Sequence, residues 1–344
     1  MKISWDILSK YKAELYGFSI LWIMLFHGLI RGPGGALDKK IDFLTSFIKH
    51  GNCGVETFLF LSGIFLYYSM KKSTVKAFYE KRLIRIYLPL LFIDGTYWIY
   101  TCLYQKHDLM QFIKNITGYS FWFGNVRITW FVSLILLLYL FYPVVFKCIL
   151  EPFSARKSFI RIGIICVFIY VGCFFLNKFE ETHHWYTMTE IAWTRIPAFL
   201  LGCYVGPFVY RKKIINRWLF WGSFFVLIFG GGFFYHPFGL VKWYRVQYLL
   251  VGPVIAIWFA FLLDVLNNHF INKALAFCGS MSLELYLSHF LFQNFIFNYG
   301  LYGTNKIHNF HIYLGTAFIG AFIISTLVSK ISNKIAYHLK IMIL

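Results

Sequence analysis

Residues 130–148 read WFVSLILLLYLFYPVVFKC, a run that carries one charged side chain, Lys147. A helix of about 20 mostly apolar residues, rising about 1.5 Å per residue, is long enough to cross the hydrocarbon core of a bilayer. This run therefore predicts a membrane-spanning helix. By the same pattern the chain holds about ten such helices, near residues 14–31, 54–70, 86–104, 130–148, 159–177, 190–210, 218–235, 246–265, 277–298 and 312–330.

The composition favours a membrane protein over a soluble one. Of the 344 residues, 59% are hydrophobic and only 14% are charged, whereas soluble domains are about 25% charged. Aromatic residues make up 22%, and Trp and Tyr suit the membrane–water interface. The net charge of +19 would suit a nucleic-acid partner. However, the basic residues form short clusters between apolar runs, so we expect no nucleic acid.

The positions of Lys and Arg predict the orientation. With the N-terminus inside, most of the 33 basic residues fall in loops and helix ends on that same side, as is typical of cytoplasmic loops. We therefore predict an all-α fold, a polytopic transmembrane helix bundle with both termini cytoplasmic. We expect residues 1–344 to form a single transmembrane domain in the plasma (inner) membrane.

Two histidines fall inside apolar runs. His27 and His289 each lie about 20 Å from the inner end of their predicted helices, at matching depth. Polar groups inside a bilayer are costly and mark functional sites. Imidazole is the side chain best suited to take a hydroxyl proton near neutral pH, so a general base is one interpretation. A histidine that only bonds a neighbouring helix is the other.

The ninth predicted helix carries a polar stripe. Ser282, Tyr286, His289 and Gln293 follow i, i+4, i+7 and i+11, which places them on one face of an otherwise apolar helix. Such a stripe is expected to face the protein interior rather than lipid.

Three further polar positions lie in or near predicted spans. Glu56 is at the outer end of the second predicted helix, and Arg195 is at the outer end of the sixth. Ser62 precedes Gly63, and we favour a packing role for both small residues because they let a neighbouring backbone approach closely.

A basic segment lies at the inner end of the third predicted helix. Arg82 and Arg85 are i, i+3 on one helical face, and Lys81 is adjacent. Anchoring at the membrane surface explains such a segment on its own. The alternative is a phosphate clamp, because an Arg fork matches phosphate oxygens.

One stretch combines acidic residues with two histidines, which are common metal ligands. Glu180-Glu181-Thr182-His183-His184 matches no metal-ligand spacing. We therefore expect a solvated outer loop here and no metal site.

Taken together, these segments resemble the membrane-bound acyltransferase family 3, whose members acylate surface polysaccharides, peptidoglycan or lipid-linked sugars. The likeness extends from His27 to His289. The matching pieces, in order, are Leu25-Phe26-His27; Gly54-Val55-Glu56-x-Phe58-x-x-Leu61-Ser62-Gly63; Arg82-x-x-Arg85-Ile86-Tyr87-x-Pro89; Trp130-Phe131 with Tyr139 and Pro143; Arg195-x-Pro197-x-Phe199-x-x-Gly202; and Gly279-x-x-Ser282-Leu283-x-x-Tyr286-Leu287-x-His289.

The resemblance implies an integral membrane O-acyltransferase. Its donor would be cytoplasmic acyl-CoA, with acetyl-CoA expected, and its acceptor a hydroxyl of a surface polysaccharide or its lipid-linked precursor. No tightly bound cofactor is implied. His27 would deprotonate the acceptor or first take the acyl group covalently, with Glu56 and His289 assisting. The residues expected to bind donor or acceptor are Arg82, Arg85, Lys81, Arg195, Tyr286 and Ser282.

The chain departs from the family pattern at two positions. Family members commonly have an Arg three turns before the first-helix His; Tyr16 stands there, and Lys12 is the candidate to replace it. Glu56 stands where Asp is usual. The chain also has no segment for the extracellular esterase-like domain of some members, so we expect it to complete the transfer alone or to pass the acyl group to a partner.

Two other function classes fit parts of the sequence. A transporter or flippase for a polysaccharide or lipid intermediate also uses buried polar stripes and broken helices, and Gly230-Gly231-Gly232 interrupts an apolar run. No second copy of that interruption occurs in a corresponding half. A membrane anchor or sensor would explain the basic loops but not the two histidines.

Overall fold

The computed structural model describes residues 3–30, 47–127, 129–151, 153–233, 246–298 and 311–343. Within these ranges the structure is helical, with one isolated β-bridge between Ser4 and Ile214, which confirms the all-α class. The main helices are α1 Ile7–Lys10, α2 Lys12–Ile30, α3 Gly54–Lys71, α4 Val75–Leu90, α5 Leu109–Ile116, α6 Tyr119–Phe123, α7 Trp130–Val145, α8 Ala155–Lys178, α9 Glu180–Trp193, α10 Ile196–Tyr210, α11 Arg217–Phe233, α12 Val246–Leu266, α13 His269–Ser280, α14 Ser282–Asn298 and α15 Ile319–Ile343.

Several of these helices are long and apolar enough to cross a membrane. Among the described residues there are six, or seven if the bent pair α13–α14 is one span. The chain is therefore a multi-pass membrane protein. The predicted number of about ten spans and the predicted cytoplasmic location of both termini stay predictions. The six are Phe47–Lys71, Val75–Gln105, Trp130–Leu150, Ala155–Lys178, Leu249–Leu266 and Tyr313–Leu339.

The predicted sixth span, residues 190–210, is interrupted. Helix α9 ends at Trp193 and α10 begins at Ile196, with Pro197 in its first turn. Proline favours the start of a helix because its missing N–H would be unpaired there anyway. The expected loop at residues 180–184 is also wrong, since these residues form the first turns of α9.

The predicted ninth span, residues 277–298, is bent by 72° between α13 and α14. Just before this bend, α13 packs closely on α2. A Cβ atom added to Gly279 would lie 1.8 Å from the carbonyl oxygen of Ala13, and one added to Gly17 would lie 1.9 Å from that of Leu275. Only glycine permits this approach, so α13 follows α2 closely before the chain turns at Met281.

Helix α3 is the centre of the bundle, and small residues bring α10 against it. A Cβ on Gly63 would lie 2.3 Å from the carbonyl oxygen of Phe199, and a Cβ on Gly202 would lie 2.0 Å from that of Phe60. This contact confirms the packing role predicted for Gly63.

The glycine interruption does not break its helix. Helix α11 continues through Gly230, Gly231 and Gly232 to Phe233. The end of this predicted span, residues 234–235, lies outside the described residues, as does residue 31 at the end of the first span. The broken-helix feature of the transporter hypothesis is therefore missing from the described part of this segment.

Candidate active site

His27 and His289, predicted at matching depth, lie in direct contact. Nδ1 of His27 is 3.0 Å from Nε2 of His289, and the two rings are stacked 15° from parallel. His289 is fully buried on α14, whereas His27 near the end of α2 is partly exposed. We call these two residues the histidine pair. Of the two, only His27 has a side chain that is accessible to a substrate.

The hydrogen bonds of the pair determine where the protons lie. Nδ1 of His289 is 2.9 Å from the carbonyl oxygen of Leu285, and a carbonyl only accepts, so this nitrogen carries hydrogen. In neutral His289 the other nitrogen, Nε2, then accepts from Nδ1–H of His27. Neutral His27 is therefore protonated on Nδ1, and its Nε2 carries the lone pair. That is the nitrogen a general base uses.

Neighbouring side chains fix the pair in place. The Gln293 amide nitrogen donates to the main-chain oxygen of His27 over 3.2 Å, and the Tyr313 hydroxyl donates to that of Met24 over 2.9 Å. The ring of Phe290 lies 4.6 Å from that of His27 and 4.3 Å from that of His289. These contacts hold the end of α2 against α14 and surround the histidines with apolar surface.

The polar stripe of α14 faces the protein interior, as predicted. Ser282, Tyr286, His289 and Gln293 are all buried. The Tyr286 ring contacts His289 edge-on at 5.7 Å and Phe131 at 4.7 Å.

A cavity of about 480 Å³ lies beside the start of α14, and Lys12, Arg82 and Arg85 line it. We call it the basic cavity. Three cationic side chains from α2 and α4 converge here, an arrangement that suits an anionic ligand. Its remaining lining residues are Ala13, Tyr16, Phe58, Ser62, Phe65, Leu66, Ile86, Phe131, Val132, Ile135, Tyr139, Gly279, Ser280, Ser282 and Leu283.

Tyr16, which stands where the family commonly has an Arg, lines this cavity together with Lys12, the candidate to replace that Arg. The accessible side chain of Lys12 lines the cavity, where the neighbouring protein partly desolvates its ammonium group. Burial lowers the pKa of Lys12, which lies before the first predicted span, and the charges of Arg82 and Arg85 lower it further. An anion bound among the three would relieve this repulsion.

Arg85 is partly engaged by an acid that sequence analysis missed. Its guanidinium donates to the Ser280 carbonyl over 3.0 Å and lies 3.6 Å from the carboxylate of Glu284, which is fully buried. These contacts connect α4 to the bend between α13 and α14. A charged residue within an apolar run is itself a signal, and Glu284 could have been found by it.

Arg82 has no such acidic partner among the described residues. Its guanidinium lies 5.7 Å from the ring centres of Phe78 and Tyr139. Its Nε atom is buried without a hydrogen-bond partner in the described ranges. Arg82 is therefore the arginine of the basic cavity whose charge is most available to a ligand.

Lys81 does not line the basic cavity. It lines a second cavity of about 590 Å³ between α4 and α15, whose walls also include Arg82 and Arg85. We call this the lateral cavity. The predicted grouping of Lys81 with the two arginines therefore occurs at the lateral cavity, whereas only the arginines also reach the basic cavity.

Glu56 and Arg195 form a buried ion pair. Arg195 Nε lies 2.9 Å from the Glu56 carboxylate, and both side chains are almost completely buried. The guanidinium also stacks 5.0 Å from the Trp130 ring centre, and Glu56 packs on Gly252 of α12. The structure therefore brings these two predicted site residues to each other, joining α3, α7 and the start of α10.

Helix α14 and a set of aromatic rings connect the basic cavity to the histidine pair. Ser282 lines the cavity, and His289 lies seven residues further along the helix, about 10 Å away. Between them, Phe131 of the cavity wall contacts Tyr286, which contacts His289. A ligand held in the basic cavity would thus need to pass these rings to meet His27.

No group of three or more His, Cys, Asp or Glu side chains that could hold a metal occurs among the described residues. Glu180 and His183 of the histidine-rich stretch lie in the first turns of α9.

Comparison with known proteins gives one match. Residues 16–330 match the family model described as an acyltransferase domain, acyltransferase family 3. No curated protein and no solved structure matches the chain significantly. The matched range contains both members of the histidine pair, both arginines of the basic cavity and the Glu56–Arg195 pair, while Lys12 lies just before it.

Proposed function

The chain belongs to acyltransferase family 3 and is a membrane acyltransferase, and we propose that it transfers an acyl group from acyl-CoA to a carbohydrate hydroxyl. Acetyl-CoA is the expected donor. The expected acceptor is a cell-surface polysaccharide or its lipid-linked precursor. The observation that carries the proposal is the histidine pair, in which His289 sets the tautomer that leaves a lone pair on Nε2 of His27.

The donor is proposed to bind in the basic cavity. Coenzyme A carries phosphates, and Lys12, Arg82 and Arg85 offer several N–H donors to them. Arg82 contributes most because Arg85 already contacts Glu284. The flexible thioester arm would extend along α14, past Phe131 and Tyr286, toward His27.

The proposed chemistry needs only one base. The acceptor hydroxyl gives its proton to Nε2 of His27 while its oxygen attacks the thioester carbonyl carbon. The C–S bond breaks, and the thiolate takes the proton back from the His27 imidazolium. The products are an ester and free coenzyme A thiol. In the alternative covalent route His27 first accepts the acyl group and the hydroxyl then attacks acyl-histidine.

His289 and Gln293 contact His27 away from its reactive Nε2 atom. The Nε2 atom of His289 accepts the hydrogen bond from Nδ1–H of His27, and this bond strengthens as His27 becomes cationic. Gln293 holds the main chain of the same residue. Both are positioning residues in this scheme, and Glu56 and Arg195 support the neighbouring helices.

Family membership also decides among the function classes. An acyltransferase is an enzyme, so the anchor and transporter hypotheses do not account for the chain.

The proposal is tested with purified protein in lipid nanodiscs, acetyl-CoA labelled on the acetyl group, and envelope carbohydrate as acceptor. We expect the label to enter the carbohydrate as an ester that mild alkali releases. His269→Ala, which alters an exposed histidine on α13, is the matched control and should transfer at the wild-type rate. Saturable acetyl-CoA binding without any transfer would contradict the acceptor class. Absence of binding by folded protein would contradict the donor.

A further inference from the structure

The acyl-transfer scheme assigns no ligand to the lateral cavity. It lies between α4 and α15, and both helices belong to candidate membrane spans, Val75–Gln105 and Tyr313–Leu339. A molecule from the bilayer can reach a cavity that lies between two membrane-spanning helices, so a lipid is the first ligand to consider.

The lining of this cavity is amphipathic along α4. Its charged groups, from Glu80 to Arg85, lie toward the start of the helix, and Leu88 and Pro89 continue from them as an apolar surface. On α15 it is lined by Ser332, Asn333 and Ala336. A charged end followed by an apolar surface matches a lipid headgroup followed by its acyl chains.

The charges at this end favour an anion. The acid Glu80 lies 3.9 Å from Lys76 one turn earlier, which offsets its charge. Lys81 is exposed and has no hydrogen bond or ion pair within the described part of the chain. The buried hydroxyl of Ser332 likewise has no partner among the described residues. Lysine, arginine and hydroxyl groups all donate hydrogen bonds, and a phosphate accepts them.

We propose that the lateral cavity binds an anionic phospholipid, with the lipid phosphate near Lys81 and Ser332 and the acyl chains along Leu88 and Pro89. Basic pockets between membrane helices are known to hold anionic headgroups. Arg82 and Arg85 form part of the wall of both cavities.

The test measures lipid binding directly, in detergent and without donor, so its result is independent of whether acyl transfer occurs. Phosphatidylglycerol and phosphatidylcholine are titrated separately onto the purified protein, and bound lipid is counted by native mass spectrometry. Wild type should prefer phosphatidylglycerol. Lys81→Gln should bind it about five-fold more weakly, since one Lys near an anionic surface contributes about 1 kcal/mol.

Two further variants distinguish a lipid site from general surface charge and from a donor site. Lys72→Gln removes an exposed lysine at the end of α3 and should leave phosphatidylglycerol binding unchanged. Ser332→Phe should fill the cavity, abolish the preference for phosphatidylglycerol and leave acetyl-CoA binding unchanged.

Three results would overturn the proposal. Equal affinity of wild type for the two lipids would remove the anionic site. Equal loss in Lys81→Gln and Lys72→Gln would reduce it to general surface charge. Parallel loss of lipid and acetyl-CoA binding in folded Ser332→Phe would assign the lateral cavity to the nucleotide part of the donor instead.

Discussion

The histidine pair and the basic cavity are both polar sites inside an apolar bundle, but they are built in different ways. The pair is held by short hydrogen bonds, from His27 to His289 and from His289 to Leu285, and is packed against Phe290. The cavity holds cations that repel one another around open space, and its one nearby acid among the described residues, Glu284, contacts only Arg85 of the three.

This difference separates chemistry from binding. Fixed hydrogen bonds suit a group that must present one lone pair in one direction, whereas unpaired charge around a cavity suits a ligand that brings its own charge. Changes in the pair should therefore affect the rate of transfer, and changes in the cavity should affect donor affinity. Mutations at each site test that separation.

Removing the base is expected to have the largest effect. His27→Ala should lower kcat for acyl transfer by about 10²- to 10⁴-fold, the usual contribution of a general acid–base group. Donor affinity should stay within about two-fold, because His27 does not line the basic cavity. Steady-state kinetics and equilibrium binding of acetyl-CoA on the same sample check both parts. A fully active, folded His27→Ala enzyme would contradict the assignment.

Altering the partner of the base should have a smaller effect. In His289→Gln the hydrogen bond that stabilises cationic His27 is weakened, and such bonds are worth about 1.5–3 kcal/mol. We expect kcat to fall roughly 10- to 100-fold.

The pH profile distinguishes this role from a purely structural one. The wild-type rate should rise with pH as His27 loses its proton, and in His289→Gln that rise should shift to lower pH because the imidazolium has lost its acceptor. A lower rate with an unshifted profile would mean that His289 only packs.

The two arginines of the basic cavity should differ from each other. Arg82→Ala should weaken acetyl-CoA binding about 10- to 100-fold, through loss of charge-assisted hydrogen bonds, with little change in thermal stability. Arg85→Ala should leave Glu284 buried without its described ion-pair partner. Because Arg85 is itself 41% exposed, we expect a loss of about 1–2 kcal/mol of stability, less than for a fully buried pair.

Thermal unfolding and binding isotherms of both variants in detergent check this contrast. Identical stability of the two variants would show that the Arg85–Glu284 contact does not hold the bend between α13 and α14.

The smallest predicted effect is a pH dependence of donor binding. The lowered pKa of Lys12 means that its charge is lost at a lower pH than for an ordinary lysine. Above about pH 8 phosphate monoesters are fully ionised, so affinity should be constant while Lys12 is protonated and decline as pH rises through its pKa. Lys12→Arg should abolish this decline because arginine keeps its charge. A decline of equal size in Lys12→Arg would assign it to another group.

Patterns local in sequence predicted much of this molecule. The apolar runs gave the helical class, and the depth of His27 and His289 within their helices correctly placed the two residues at one level. The stripe on α14 was predicted because its spacing matches one helical face. In each case the information lies within one helix.

Features that depend on contacts between distant segments were missed. The bend at Met281 was not predicted, and neither was the close approach of Gly279, two residues before it, to Ala13, far away in sequence. The pairing of Arg85 with Glu284 joins residues 199 positions apart. The lateral cavity, which Lys81 lines together with Arg82 and Arg85, depends on the packing of α15 on α4, and no local pattern indicates that packing.

The most direct test of the separation between chemistry and binding is single-turnover acyl transfer as a function of acetyl-CoA concentration. Wild type, His27→Ala and Arg82→Ala would be compared in the same nanodiscs. We predict that Arg82→Ala approaches the wild-type rate at saturating donor, whereas His27→Ala stays slow at every concentration while binding the donor normally. If saturating donor restores His27→Ala but not Arg82→Ala, the roles assigned to the histidine pair and the basic cavity are wrong.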